Sequence, residues 1–106
     1  MPSSFHKRDI GRDLYIIQMH TLGNVKVGRS SNVSNRLKQL QTGCPHKLKV
    51  ILHVVGQGSL EKVLHDRMSR YRLEGEWFTE EGLAELPSEM YELLDLEKAN
   101  WWVPEK

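Results

Sequence analysis

Residues 14–28, Leu-Tyr-Ile-Ile-Gln-Met-His-Thr-Leu-Gly-Asn-Val-Lys-Val-Gly, decide the fold of this chain. Leu14 to Met19 centre on an aromatic and two β-branched residues and read as a strand. Thr21-Leu22-Gly23-Asn24 supplies Gly-Asn turn chemistry, and Val25-Lys26-Val27-Gly28 alternates with a period of two. Two extended runs across a short turn make a β-hairpin.

The elements that follow hang from this hairpin. Ser31 or Asn32 caps a helix running to about residue 42, with Val33, Leu37 and Leu40 on one stripe and Gly43 and Pro45 ending it. Leu48–Val55 carries apolar residues on both faces, as a central strand does. Gly56 and Gly58 break it, and Ser59 caps a second helix whose Leu60, Val63, Leu64 and Met68 form an amphipathic stripe. Glu76-Trp77-Phe78 reads as a packing clasp on the sheet. Two short acidic helices follow, starting near Thr79 and at Ser88. The expectation is an α/β fold with a small three-stranded mixed or antiparallel sheet flanked by helices, in the order β-β-α-β-α-α-α. At 106 residues the chain is expected to form one domain, with residues 1–12 a loose arm, a core over 13–78 and an acidic helical extension over 79–106.

The net charge of +1 conceals a strong asymmetry: residues 1–73 carry +9 and residues 74–106 carry −8. A basic first part points to a polyanion, nucleic acid being the commonest. The alternative is that the acidic tail docks on the basic part and neutralises it. One cysteine, Cys44, excludes an intramolecular disulfide and a thiolate zinc cage and fits a reducing compartment. Nothing approaches an apolar run of about 20 residues, and the N-terminal residues lack the apolar core of a signal peptide. The expected location is the cytoplasm, or the nuclear or host-cell interior, with no secretion and no membrane partner.

Phosphate-loop and nucleophile-elbow signatures are absent. His6, His20, His46, His53 and His65 are too scattered for a structural zinc site. The informative set is Tyr15 on the first strand, Lys26 and Gly28 on the second, Arg29 after them, Arg36 in the first helix, and Glu61 and His65 in the second.

In these positions the chain resembles the GIY-YIG nuclease superfamily, in a compact branch found in phage and fungal proteins. Asp13-Leu14-Tyr15 and Lys26-Val27-Gly28 stand at the two motifs that name it. The branch's four segments are present in order, Lys-Val-Gly-Arg-Ser at 26–30, Arg-Leu-Lys-Gln-Leu-Gln at 36–41, Leu-Glu-Lys-Val-Leu-His at 60–65 and Gly-Glu-Trp-Phe at 75–78. The resemblance covers about residues 14–78 and implies hydrolysis of phosphodiester bonds with one divalent ion, Mg²⁺ or Mn²⁺. It assigns the metal to Glu61, charge stabilisation on the five-coordinate phosphate to Arg36, and orientation or deprotonation of the attacking water to Tyr15. Lys26 stands where the second motif has a tyrosine, and Leu40 where a histidine often follows the arginine. Lys26 then serves either as a base, its pKa lowered by Arg29 and Arg36, or as a phosphate contact. His65 becomes the nearest candidate to share proton transfer.

Each residue also has a plainer reading. Tyr15 alone is a half-buried strand aromatic, Glu61 a complement to the helix dipole, Arg36 a solvated helix residue and His65 a packing residue. Arg29, Lys38, Lys47 and Lys49 are phosphate contacts or solvated surface. The expected function is a metal-dependent DNA endonuclease, RNA not being excluded, with specificity from DNA structure, a homodimer or a partner protein. Two alternatives stand beside it. One is a non-catalytic nucleic-acid-binding module of the same fold. The other is a protein-interaction domain that docks through the acidic C-terminal helices and Trp101 and Trp102.

Overall fold

A computed structural model describes residues 11–94. The N-terminal arm up to residue 10, with His6, and the terminal residues from 95, with Trp101 and Trp102, lie outside the described residues.

The hairpin forms as the sequence dictates. Strand β1 (Asp13–Met19) pairs antiparallel with β2 (Val25–Ser30), with Tyr15 opposite Gly28 and Ile17 opposite Lys26. Gly23 closes the turn at φ +77°, a conformation that costs glycine nothing, and Gln18 Nε2 donates to its carbonyl at 3.0 Å. Helix α1 (Val33–Thr42) starts at Asn32, whose Oδ1 accepts from the Asn35 amide at 2.9 Å. Strand β3 (Leu48–Val54) and helix α2 (Leu60–Arg67) follow, then a 3-10 turn over Ser69–Tyr71. A two-residue strand, β4 (Trp77–Phe78), precedes a 3-10 segment (Glu80–Glu85) and a single-turn helix, α3 (Ser88–Tyr91).

The sheet has four strands in the order β3-β1-β2-β4, every pairing antiparallel. This corrects the expectation of three strands and of the order β-β-α-β-α-α-α. Residues 76–78 do pack as a clasp, but they do so by pairing with β2 at Val25 and Lys26. Two residues show no periodicity, which is why composition alone leaves β4 hidden. The expected helix after Thr79 is a 3-10 segment. Ser59 does not cap α2 but already has helical angles of −63° and −15°.

The strand expected at the sheet centre, β3, lies at its edge, and β1 is central. A register shift opposite Ile16 and Ile17 leaves Ile51 as the extra residue. The bulge switches sides: Leu48 and Val50 pack with Tyr15, Ile17 and α1, whereas Leu52 and Val54 pack with Leu14, Ile16 and α2. A strand that serves both layers is apolar on both faces without being flanked by two strands.

Two apolar layers therefore sandwich the sheet. On the α1 side lie Tyr15, Ile17, Val33 and Leu48, with Leu37, Leu40 and Trp77 against them. On the other side Leu14, Ile16, Val25, Val27, Leu64, Met68 and Phe78 form the larger core. Val63, expected on the α2 stripe, is 48% exposed, so Leu60, Leu64 and Met68 carry the packing.

At one end of the sheet Asp13 stitches β1 to β3. Its Oδ2 accepts from His53 Nε2 at 2.7 Å and its Oδ1 from the Gly56 amide at 2.8 Å. The Gly56 amide first, then His53, hold the carboxyl below the usual aspartate value. The stabilisation is thus fully present above about pH 4 and is lost as pH falls through the lowered value. Asp13→Asn is expected to cost about 1 kcal/mol at pH 7, and the cost is expected to shrink as pH falls through the lowered Asp13 value, measured by urea unfolding across acid pH.

Candidate nucleic-acid site

Alternation along β2 divides its side chains. Val25, Val27 and Arg29 face α2, and Lys26 and Gly28 face α1 beside Tyr15. Because β4 pairs only with Val25 and Lys26 and its approach takes the Val27 amide, β2 has an open edge from Gly28 onward. The sequence-predicted site residues gather around this edge from both sides of the sheet.

On the α1 side, Tyr15 is 1% exposed and its ring lies over Gly28. A Cβ at Gly28 would overlap the Tyr15 hydroxyl and stand 2.6 Å from Cζ, so only glycine admits the ring there. Lys26 is buried, and its Nζ makes an ion pair with Glu76 Oε1. Arg36 stands exposed on α1 with Nη1 donating to Gln39 Oε1 at 3.3 Å. Burial acts to raise the Glu76 pKa, but Lys26 above all, with His65 and Arg36, overcomes it and holds the carboxyl below the usual glutamate value.

On the α2 side, Glu61 in the first turn lies with Oε1 3.3 Å from Arg29 Nε and Oε2 3.8 Å from His65 Nε2. His65 Nε2 reaches the Val27 carbonyl at 2.8 Å, and its Nδ1 lies 3.4 Å from Arg72 Nη2. A carbonyl only accepts, so Nε2 is the donor to Val27, and Nδ1 faces the Arg72 guanidinium. The Val27 amide donates to the Glu76 carbonyl at 3.3 Å. Both main-chain groups of Val27 are therefore satisfied outside the β1–β2 ladder, one by His65 and one by the β4 approach.

Tyr15, Lys26, Arg29, Arg36, Glu61 and His65 thus all border the open edge of β2. Lys38, Lys47 and Lys49 do not. Lys49 is in register with Gln18 on the β3 side, while Tyr15 is opposite His53. Lys47 precedes that strand, and Lys38 projects from the flank of α1 opposite Arg36. Two residues of the site escaped the sequence reading. Glu76 stands in the Gly-Glu-Trp-Phe segment that reads as packing, and its signal is that Trp77 is the register partner of Lys26. Arg72, stacked over Phe78 at 5.4 Å, carries no pattern that separates it from the neighbouring surface arginines.

Residues 14–98 match the family model of the T5orf172 domain, and the chain belongs to this family. The T5orf172 domain is associated with nuclease-like and DNA-binding function. The match corrects the resemblance to the GIY-YIG superfamily drawn from short ordered segments. Those segments fall on β2, α1, α2 and the approach to β4, and spacing of that kind does not by itself fix a family. Neither curated proteins nor solved structures give a match. Among the described residues no helix is long and apolar enough to cross a membrane.

Proposed function

We propose that the chain is a DNA endonuclease that hydrolyses phosphodiester bonds at the open edge of β2 with one divalent ion, Mg²⁺ or Mn²⁺. The observation that carries this reading is the convergence of Lys26, Arg36, Glu61 and His65, from three elements, on one sheet edge beside Tyr15. A surface built only for packing has no need of so many charges there. Glu61 would hold the ion. Among the described residues no three His, Cys, Asp or Glu side chains could hold a metal together. One partly exposed carboxylate is a donor set that fits a hard ion retaining most of its waters. When bound, such an ion supplies Lewis-acid polarisation of a phosphate oxygen.

The chain's own groups supply the rest. Arg36, exposed and held at one nitrogen by Gln39, presents its remaining donors to the phosphate as negative charge grows. Tyr15, fixed by its fit over Gly28, orients the attacking water through its hydroxyl. The Lys26 ammonium adds positive charge on the same side. His65 spends both ring nitrogens inside the protein, so it orients the Glu61 side of the site instead of relaying a proton. Arg29 neutralises Glu61 and binds phosphate at the rim. Lys38, Lys47 and Lys49 contact phosphates farther along the DNA, roughly 15 Å away given strand spacing.

The second reading is a nucleic-acid-binding module without turnover, which the Lys26–Glu76 pair favours because it leaves no free base at that position. Both readings predict binding to duplex DNA that weakens steeply with salt. They separate in a cleavage assay on the same DNA with Mg²⁺, Mn²⁺ or EDTA. The nuclease reading expects metal-dependent strand breaks, and salt-sensitive binding without breaks under any metal would replace it with the module.

A further inference from the structure

We infer that Glu76 is a positioning residue for this site: its carboxylate holds Lys26 as an ammonium and fixes it beside Tyr15 and Gly28. This rests on the nuclease reading for its consequence in turnover, though not for its chemistry.

Lys26 is only 7% exposed, and a lysine so buried loses much of the hydration that favours its charged form. A buried ammonium requires a partner, and Glu76 Oε1 is the one the fold delivers. Delivery is topological. The β4 pairing sets Trp77 opposite Lys26, and the preceding residue, anchored by the hydrogen bond from the Val27 amide to its carbonyl, turns its carboxylate back over β2. The other charged and titratable groups around Lys26 do not replace it. Tyr15 on β1 presents a phenol, Arg36 on α1 is a cation, and His65 on α2 has its two ring nitrogens turned to the Val27 carbonyl and to Arg72, so none of them supplies a carboxylate. Glu76, on which both Lys26 and Arg36 act, is the carboxylate that compensates the Lys26 charge. The carboxyl lying below its usual range agrees with a carboxylate held by cations.

The consequence is a pH limb. Without Glu76, buried Lys26 lacks the carboxylate that faces its ammonium and is expected to lose its proton at lower pH. Glu76→Gln keeps the shape and an acceptor but removes the charge. In that variant the high-pH limb of DNA cleavage is expected to move down by about one pH unit or more. KM for DNA is expected to stay within about threefold of wild type, because Lys26 remains in place at lower pH. Lys26→Arg in the Glu76→Gln background restores a cation that does not titrate, and the limb is expected to return. The NMR titration of the Lys26 side chain, without DNA, reads the same pair directly and is expected to shift downward by a similar amount. An unchanged Lys26 titration in folded Glu76→Gln overturns the inference, as does an equal loss of cleavage at every pH. If wild type cleaves no DNA, the nuclease reading fails and the Lys26 titration alone decides the pairing.

Discussion

Glu61→Gln is expected to reduce Mg²⁺-dependent DNA cleavage by about 10²–10³-fold, with the fold and DNA binding retained. The change removes the charge that would hold the ion while keeping size and an acceptor oxygen. Its cost to stability is small because the Arg29 partner is 39% exposed, and an ion pair of that kind contributes at most about 1 kcal/mol. Arg36→Ala is expected to lose cleavage to a similar extent. Arg36 is exposed and its side chain bonds to Gln39 on its own helix, so unfolding should shift by less than about 0.5 kcal/mol. Initial rates at saturating DNA, with circular dichroism melts on the same samples, measure both quantities. Full cleavage by either variant would remove that residue from the centre.

Gly28→Ala is the second large effect, and it acts on stability. The new methyl would overlap the Tyr15 hydroxyl and press on Cζ at 2.6 Å and Cε2 at 3.1 Å. Tyr15 has no room to retreat, being packed with Ile17, Val33 and Leu48. Overpacking of this kind costs about 1–3 kcal/mol, a fall in Tm of roughly 5–15 °C for a chain of this size. The clash is specific to the ring, so the same substitution in a Tyr15→Leu background is expected to cost much less. Four thermal melts complete this double-mutant cycle. Equal costs in both backgrounds would place the strain in the backbone and separate Gly28 from Tyr15.

Much of this was legible in the sequence, and the limits have physical causes. The hairpin, α1 and α2 follow from local patterns, because turn chemistry and a 3.6-residue stripe are set by neighbours in the chain. The place of β3 in the sheet is not local. Its apolar residues on both faces indicate a central strand, but a bulge at Ile51 spreads them over two layers at the edge. A strand of two residues such as β4 has no period, and its pairing appears only once the chain returns to β2. Tyr15, Lys26, Arg36, Glu61 and His65 were singled out together because their spacing matched ordered segments, and the family those segments implied is corrected by the T5orf172 match. Glu76 was missed as a charged partner because its aromatic neighbours drew the reading toward packing. Lys38, Lys47 and Lys49 were gathered by charge alone, and charge carries no information about which end of a sheet it occupies.

The most direct test is nicking of supercoiled plasmid by wild type, Glu61→Gln and Arg36→Ala, purified in parallel and assayed with Mg²⁺, Mn²⁺ or EDTA. The account predicts nicking by wild type with either metal, none in EDTA, and loss in both variants. Wild type that binds the plasmid yet never nicks it, or variants that nick as fast as wild type, would contradict it.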